Sequence, residues 1–166
     1  QTWQYPSRAQ CLSCHTAAAG RTLGPELSQL NRDIVWPRFV IANQLETYES
    51  IGLLAAPLGM PVSALPRLER PDGSGSAEAK ARAYLHSNCS VCHRDGAGQG
   101  PQDFRASLSL QQMNVCNTMP LNGNLGVAGA RLLTPMNPGQ SLISLRMKAL
   151  NTFRMPPLGS SVVHGD

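Results

Sequence analysis

Apolar residues fall at helical spacing in two stretches of the chain, and a third is rich in helix-forming residues. Leu45, Tyr48, Ile51 and Leu54 stand three apart in "ANQLETYESIGLL", which predicts a helix over 42–54. Leu142, Leu145, Met147 and Leu150 give "PGQSLISLRMKAL" an apolar side, and Pro138 suits the start of a helix there. "SAEAKARAYLHSNC" opens on Ser76, a good N-cap, with Glu78 in the first turn, and predicts a helix running to Cys89. Strand signals are weak everywhere.

The clearest punctuation is "ERPDGSGSAEAK" (69–80), where Pro, Gly and Ser cluster before the third helix. A boundary near residue 75 separates two halves, 1–75 and 76–166, that share one order of events. A short lead-in comes first, then Cys-x-x-Cys-His, then a small-residue loop ending in Gly-Pro (Gly24-Pro25 and Gly100-Pro101). A helical stretch follows, and after it a Met-Pro: Met60-Pro61 and Met155-Pro156. The pattern predicts a tandem repeat of one small helical unit.

Composition sharpens this picture. Charged residues are 14% of the chain, and Gly (15) and Pro (13) are frequent, which marks it as loop-rich. Aromatic residues are 5%, so two halves of this size would struggle to build cores from side chains alone. A large apolar cofactor in each half would remove that difficulty. The net charge of +4 comes from scattered Lys and Arg rather than a basic stripe, so nucleic-acid binding is unsupported. No apolar run is long enough to predict a transmembrane segment. No basic-then-apolar leader opens the sequence, which is expected of a mature or excised form.

Four of the five cysteines sit in the repeated unit, Cys11-Leu-Ser-Cys14-His15 and Cys89-Ser-Val-Cys92-His93. Thiols three apart at a helix end can each add across a haem vinyl group, and the histidine that follows then reaches the iron. This is the chemistry of c-type haem attachment. A structural zinc site would draw four thiolates into one tetrahedron and leave both histidines unexplained. A thioredoxin-like disulfide would need a βαβ setting that the pattern does not offer. The expected cofactors are therefore two covalently attached haem c groups, on Cys11, Cys14 and His15 and on Cys89, Cys92 and His93. Pro25 and Pro101 are expected to supply backbone carbonyls that hold the outer nitrogens of His15 and His93.

A methionine on a stiff loop after a helix suits the sixth iron position. Met155 in "NTFRMPPLG" is the candidate for the second haem, with Met136 as its rival. Met60 in "APLGMPVSALP" is the candidate for the first, with His86 and His164 as alternatives. Met147, Met113 and Met119 read as packing residues, Cys116 as a buried inert thiol, and Trp3 and Trp36 as cavity or core packing.

These residues resemble a tandem class I cytochrome c. More narrowly, "YPSRAQCLSCH", "LSQLNRD", "YLHSNCSVCHR", "NGNLGVAGARLL", "NPGQSLISLRM" and "RMPPLGSSVV" resemble a bacterial family of secreted haem domains. Such domains often stand beside quinoprotein-type sugar dehydrogenase domains or carbohydrate-binding modules. The resemblance implies an all-α fold of two small class I cytochrome c-like helical units, each built around its haem. It implies His15 and His93 as proximal ligands and Met155 as a distal one; Met60 lies outside the matched stretches. A unit of that class closes with a helix after its methionine loop, whereas "PPLGSSVVHGD" follows here. The implied function is electron transfer in the periplasm or outside the cell, by a carrier rather than an enzyme. The implied donor is a carbohydrate-oxidising dehydrogenase, and the implied acceptor a cytochrome, oxidase or copper oxygenase. The alternative is a dihaem oxidoreductase, peroxidase-like or thiosulfate dehydrogenase-like, with an open or labile position on the first haem.

Overall fold

Single side chains decide where helices start and stop in this chain. In the computed structural model, which describes residues 5–98, 100–158 and 162–163, helix α1 (Arg8–Leu12) opens on a capping box. Ser7 Oγ accepts from the Gln10 N–H, and Gln10 Oε1 accepts from the Ser7 N–H at 2.8 Å. Helix α2 is a single turn, Leu27–Leu30. Asn43 caps α3 (Gln44–Ser50) by accepting from the Leu45 N–H at 2.9 Å. Gly52 ends that helix in the left-handed region, at φ 70°. The Leu53 N–H then reaches the Tyr48 carbonyl and the Gly52 N–H that of Glu49, the paired bonds of a Schellman ending. The helix expected over 42–54 is therefore shortened at both ends. Ser76 Oγ accepts from the Ala79 N–H at 3.1 Å ahead of α4 (Ala77–Cys89). A short turn at Pro138–Gln140 precedes α5 (Leu142–Lys148).

The expectation of an all-α fold of two class I cytochrome c-like helical units is corrected by a two-stranded antiparallel sheet and by how short the helices are. Strands β1 (Asp33–Val35) and β2 (Ile41–Asn43) pair Asp33 with Asn43, Ile34 with Ala42 and Val35 with Ile41. β-branched residues on either side of the turn favour the extended backbone, and Pro37 breaks any helix between them. The Trp36 N–H donates to the Val40 carbonyl at 2.8 Å, and Arg38 and Phe39 turn the chain with positive φ. Among the described residues much of the remaining chain is turn and loop, as the Gly and Pro content requires.

The chain forms two compact units: Gly24–Ser87, and Gln1–Leu23 together with Asn88–Asp166. The repeat boundary near residue 75 describes internal repetition in the sequence, whereas these units describe packing.

Within Gly24–Ser87 the buried residues include Leu45, Ala83, Asn31, Asn43 and His86. Asn31 is a hub. Its Nδ2 donates toward the carbonyls of Val62, Leu65 and Pro66 at 2.8, 3.1 and 3.2 Å, and its Oδ1 accepts from Asn43 Nδ2 at 3.0 Å. Asn31→Leu leaves buried Asn43 and the carbonyls of Val62, Leu65 and Pro66 without these bonds. The expected cost is about 2–3 kcal/mol, read as a lower denaturant midpoint with an unchanged slope. Trp36 packs edge-on against Tyr48 (centroids 6.2 Å apart) and its Nε1–H donates to the Ala42 carbonyl.

In the other unit Phe104, Met113, Val115, Ala130 and Leu142 are buried. Isolated bridges, Cys116 with Leu133 and Arg131 with Ser141, tie its loops together. Buried Ser141 Oγ donates to the carbonyls of Asn137 and Thr134 and accepts from the Thr134 N–H, fixing the entry to α5.

Candidate haem-attachment site

Both Cys-x-x-Cys-His segments form the same backbone turn at the end of a helix. At the end of α1 the Cys11 carbonyl accepts from the N–H groups of Cys14 and His15, at 3.2 and 3.0 Å. At the end of α4 the Cys89 carbonyl accepts from Cys92 and His93, at 3.1 and 2.8 Å. Two local sequences with different residues between the cysteines thus reach one geometry. Neither thiol of either pair is in a disulfide.

The loop after the first motif doubles back at once. Gly20 (φ 73°) and Arg21 (φ 67°) adopt the left-handed conformation, the Gly20 N–H donates to the Ala17 carbonyl, and the Arg21 N–H to that of Thr16. This aims the Arg21 carbonyl at His15, whose Nδ1 lies 2.6 Å from it. A carbonyl only accepts, so Nδ1 carries the proton and Nε2 keeps its lone pair, the state a metal ligand needs. Pro25, expected in this role, is exposed and belongs to the Gly24–Ser87 unit.

At the second motif a side chain takes the corresponding place. The Gln102 carboxamide meets His93 Nδ1 at 2.7 Å, and the Phe104 ring stands edge-on to the imidazole at 5.3 Å. The Phe104 N–H donates to the His93 carbonyl at 3.0 Å. Pro101, one residue before Gln102, is exposed, and its carbonyl lies 3.4 Å from Asn114 Nδ2. Asp103 is buried and anchors this return segment, accepting from the Asp95 N–H and from the Arg105 N–H and guanidinium. Burial pushes its carboxyl upward, but those hydrogen bonds together prevail and hold it below the ordinary carboxylate value.

The two motifs share one unit and touch. The Cys92 thiol approaches the Ser13 carbonyl at 3.7 Å, and Arg94 donates from Nη1 to the Ala18 carbonyl at 3.5 Å. Burial pushes the Cys89 thiol up to about 11. Burial and then the neighbouring Cys14 thiol push Cys92 up to about 12. Among the described residues no three His, Cys, Asp or Glu side chains converge as a metal site. The donor set fits haem: unpaired thiols on matching turns, and at His15 an imidazole already in the ligating tautomer.

The methionines are placed differently. Met155 is half-buried and lies in the unit that carries both motifs, its N–H donating to the Arg146 carbonyl at the end of α5. Met136 is fully exposed. Met60 is 52% exposed and belongs to the Gly24–Ser87 unit. His86 is buried in that same unit with Nε2 on Glu26 Oε2 at 2.8 Å, where it anchors α4 to the entry of α2. Met113 is core, Met147 half-buried and Met119 exposed, and Cys116 is half-buried. Trp3 and His164 lie outside the described residues.

Sequence reasoning missed Arg21 and Gln102. A backbone carbonyl carries no residue-type signal, and Gln102 stands one position beyond the proline that drew attention. Compared with protein-family models, with curated proteins and with solved structures, the chain matches none of them.

Proposed function

We propose that the chain is an electron-transfer module carrying two covalently attached haem c groups, a dihaem c-type cytochrome. One haem would be held by Cys11 and Cys14 with His15 on its iron, the other by Cys89 and Cys92 with His93. The observation that carries this reading is the repeated turn: the same motif, the same pair of backbone hydrogen bonds, and an imidazole braced through Nδ1 each time. Bound haem supplies a one-electron ferric–ferrous couple.

The chain's own part is to fix attachment, to hold both imidazoles and to keep the two attachment points close together. Contacts between the two motif loops support electron exchange between the centres. Met155 is the proposed distal ligand of the second iron. Met60 is the proposed distal ligand of the first, with His86 as the alternative. Resemblance to secreted haem domains supports a periplasmic or extracellular setting. It also supports a sugar dehydrogenase-type donor and a cytochrome, oxidase or copper oxygenase as acceptor. No helix among the described residues is long and apolar enough to cross a membrane.

The exposure of Met60 favours one second reading, a dihaem oxidoreductase whose first haem has an open or labile position. The methionine-to-ferric-iron charge-transfer band separates the two. A carrier shows that band for both haems if Met60 is the first iron's ligand and for one if His86 is; in either case Met155→Ala loses the share of one, and cyanide binds the parent slowly. Rapid cyanide binding by half of the haem in the parent overturns the carrier reading in favour of the oxidoreductase.

A further inference from the structure

The two imidazoles are braced by different chemistry. His15 faces a backbone carbonyl, which has one possible role. His93 faces a carboxamide, which has two. With Gln102 Nε2 at 2.7 Å from His93 Nδ1, the amide NH2 donates to the ring and the imidazole proton sits on Nε2. Turning the carboxamide over exchanges the roles: Oε1 accepts from Nδ1–H, and Nε2 is left with its lone pair. Iron at Nε2 selects this second arrangement.

We infer that Gln102 is a positioning residue that sets the proton on His93 and, through it, the reduction potential of the second haem. This rests on the haem reading above and adds to it the residue that makes the two centres unequal. An acceptor on Nδ1–H gives the imidazole more anionic character, which stabilises ferric over ferrous iron and lowers the potential.

The surroundings are built to hold this side chain. Asp103 and Phe104, the next two residues, are buried and pinned: the Asp103 N–H donates to the Met113 carbonyl and the Phe104 N–H to that of His93. The Asp103 carboxylate is tied to Asp95 and Arg105. The space for the carboxamide comes from Gly100. A Cβ there would stand 2.7 Å from Gln102 Oε1 and 3.3 Å from its Cδ, and the glycine's φ of 103° disfavours any side chain.

The test compares Gln102→Glu and Gln102→Leu with the parent, all matured with covalent attachment. Intact mass gives the haem count, and spectroelectrochemical titration gives the two midpoint potentials. Both variants are expected to carry two haems. Glu, a charged acceptor, lowers one potential; Leu, with no acceptor, raises the same one; the other potential stays put. Gly100→Ala, which pushes the carboxamide aside, moves that potential in the same direction as Leu. Opposite shifts from Glu and Leu are the signature, because a merely structural lesion moves both variants the same way. Unmoved potentials, same-direction shifts or equal shifts of both haems overturn the inference while the haem reading stands. A parent without haem overturns both.

Discussion

On the proposed dihaem reading, replacing Cys89 and Cys92 together by serine is expected to remove one of two covalently bound haems and leave the other in place. With both thiols gone, only an iron–imidazole bond from His93 remains, and it does not survive denaturation, whereas a thioether does. The matching Cys11→Ser, Cys14→Ser double variant keeps the haem on the other motif, and the fourfold variant keeps none. Acid-denatured, organic-extracted protein weighed intact reads this directly as two, one, one and no haem increments. The two motifs share a unit and their loops touch at Ser13 and Cys92 and at Ala18 and Arg94. Each double variant is therefore expected to lower the thermal midpoint of the remaining haem-bearing protein as well. A double variant that kept two covalent haems would falsify the assignment of that motif.

How much of this was legible beforehand follows from where the information resides. The candidate site is written in residue type and spacing, so Cys11, Cys14, His15 and their second copy could be picked out without a fold. Helix α4 was legible for a similar reason: Ser76 caps it and the residues that follow are good helix formers. The hairpin was not. Its strands are three residues each, too short to establish an alternation, and their β-branched residues flank a Trp-Pro turn instead of an Asn-Gly. Periodicity predicts too long a helix over 42–54 because Leu45, Tyr48, Ile51 and Leu54 continue the stripe past the point where Gly52 stops it. Periodicity reports which face would be apolar, and a cap decides whether the backbone is still helical. The bracing of the imidazoles was least legible, since it depends on loops returning to within hydrogen-bond distance of rings six and nine positions back.

Protein that never receives haem is expected to lack a cooperatively folded native state. Among the described residues, seven apolar side chains are buried, two of them alanines, while eighteen large apolar ones are exposed. So little apolar burial leaves little hydrophobic stabilisation to offset chain entropy. Polar groups do not supply the lack, because hydrogen bonds such as those of Asn31 and Ser141 fix geometry at modest net gain. The proposed haem, a rigid apolar disc bonded at two points, would offer what the side chains lack. The fourfold cysteine variant is therefore expected to retain far-UV helical signal from α4, lose near-UV dichroism, bind a hydrophobic dye and melt without a sharp transition. Haem-bearing protein melts cooperatively and binds little dye. A fourfold variant with a sharp calorimetric transition close to that of the loaded protein would mean that the polypeptide holds itself together, and that the exposed apolar residues answer to something other than haem.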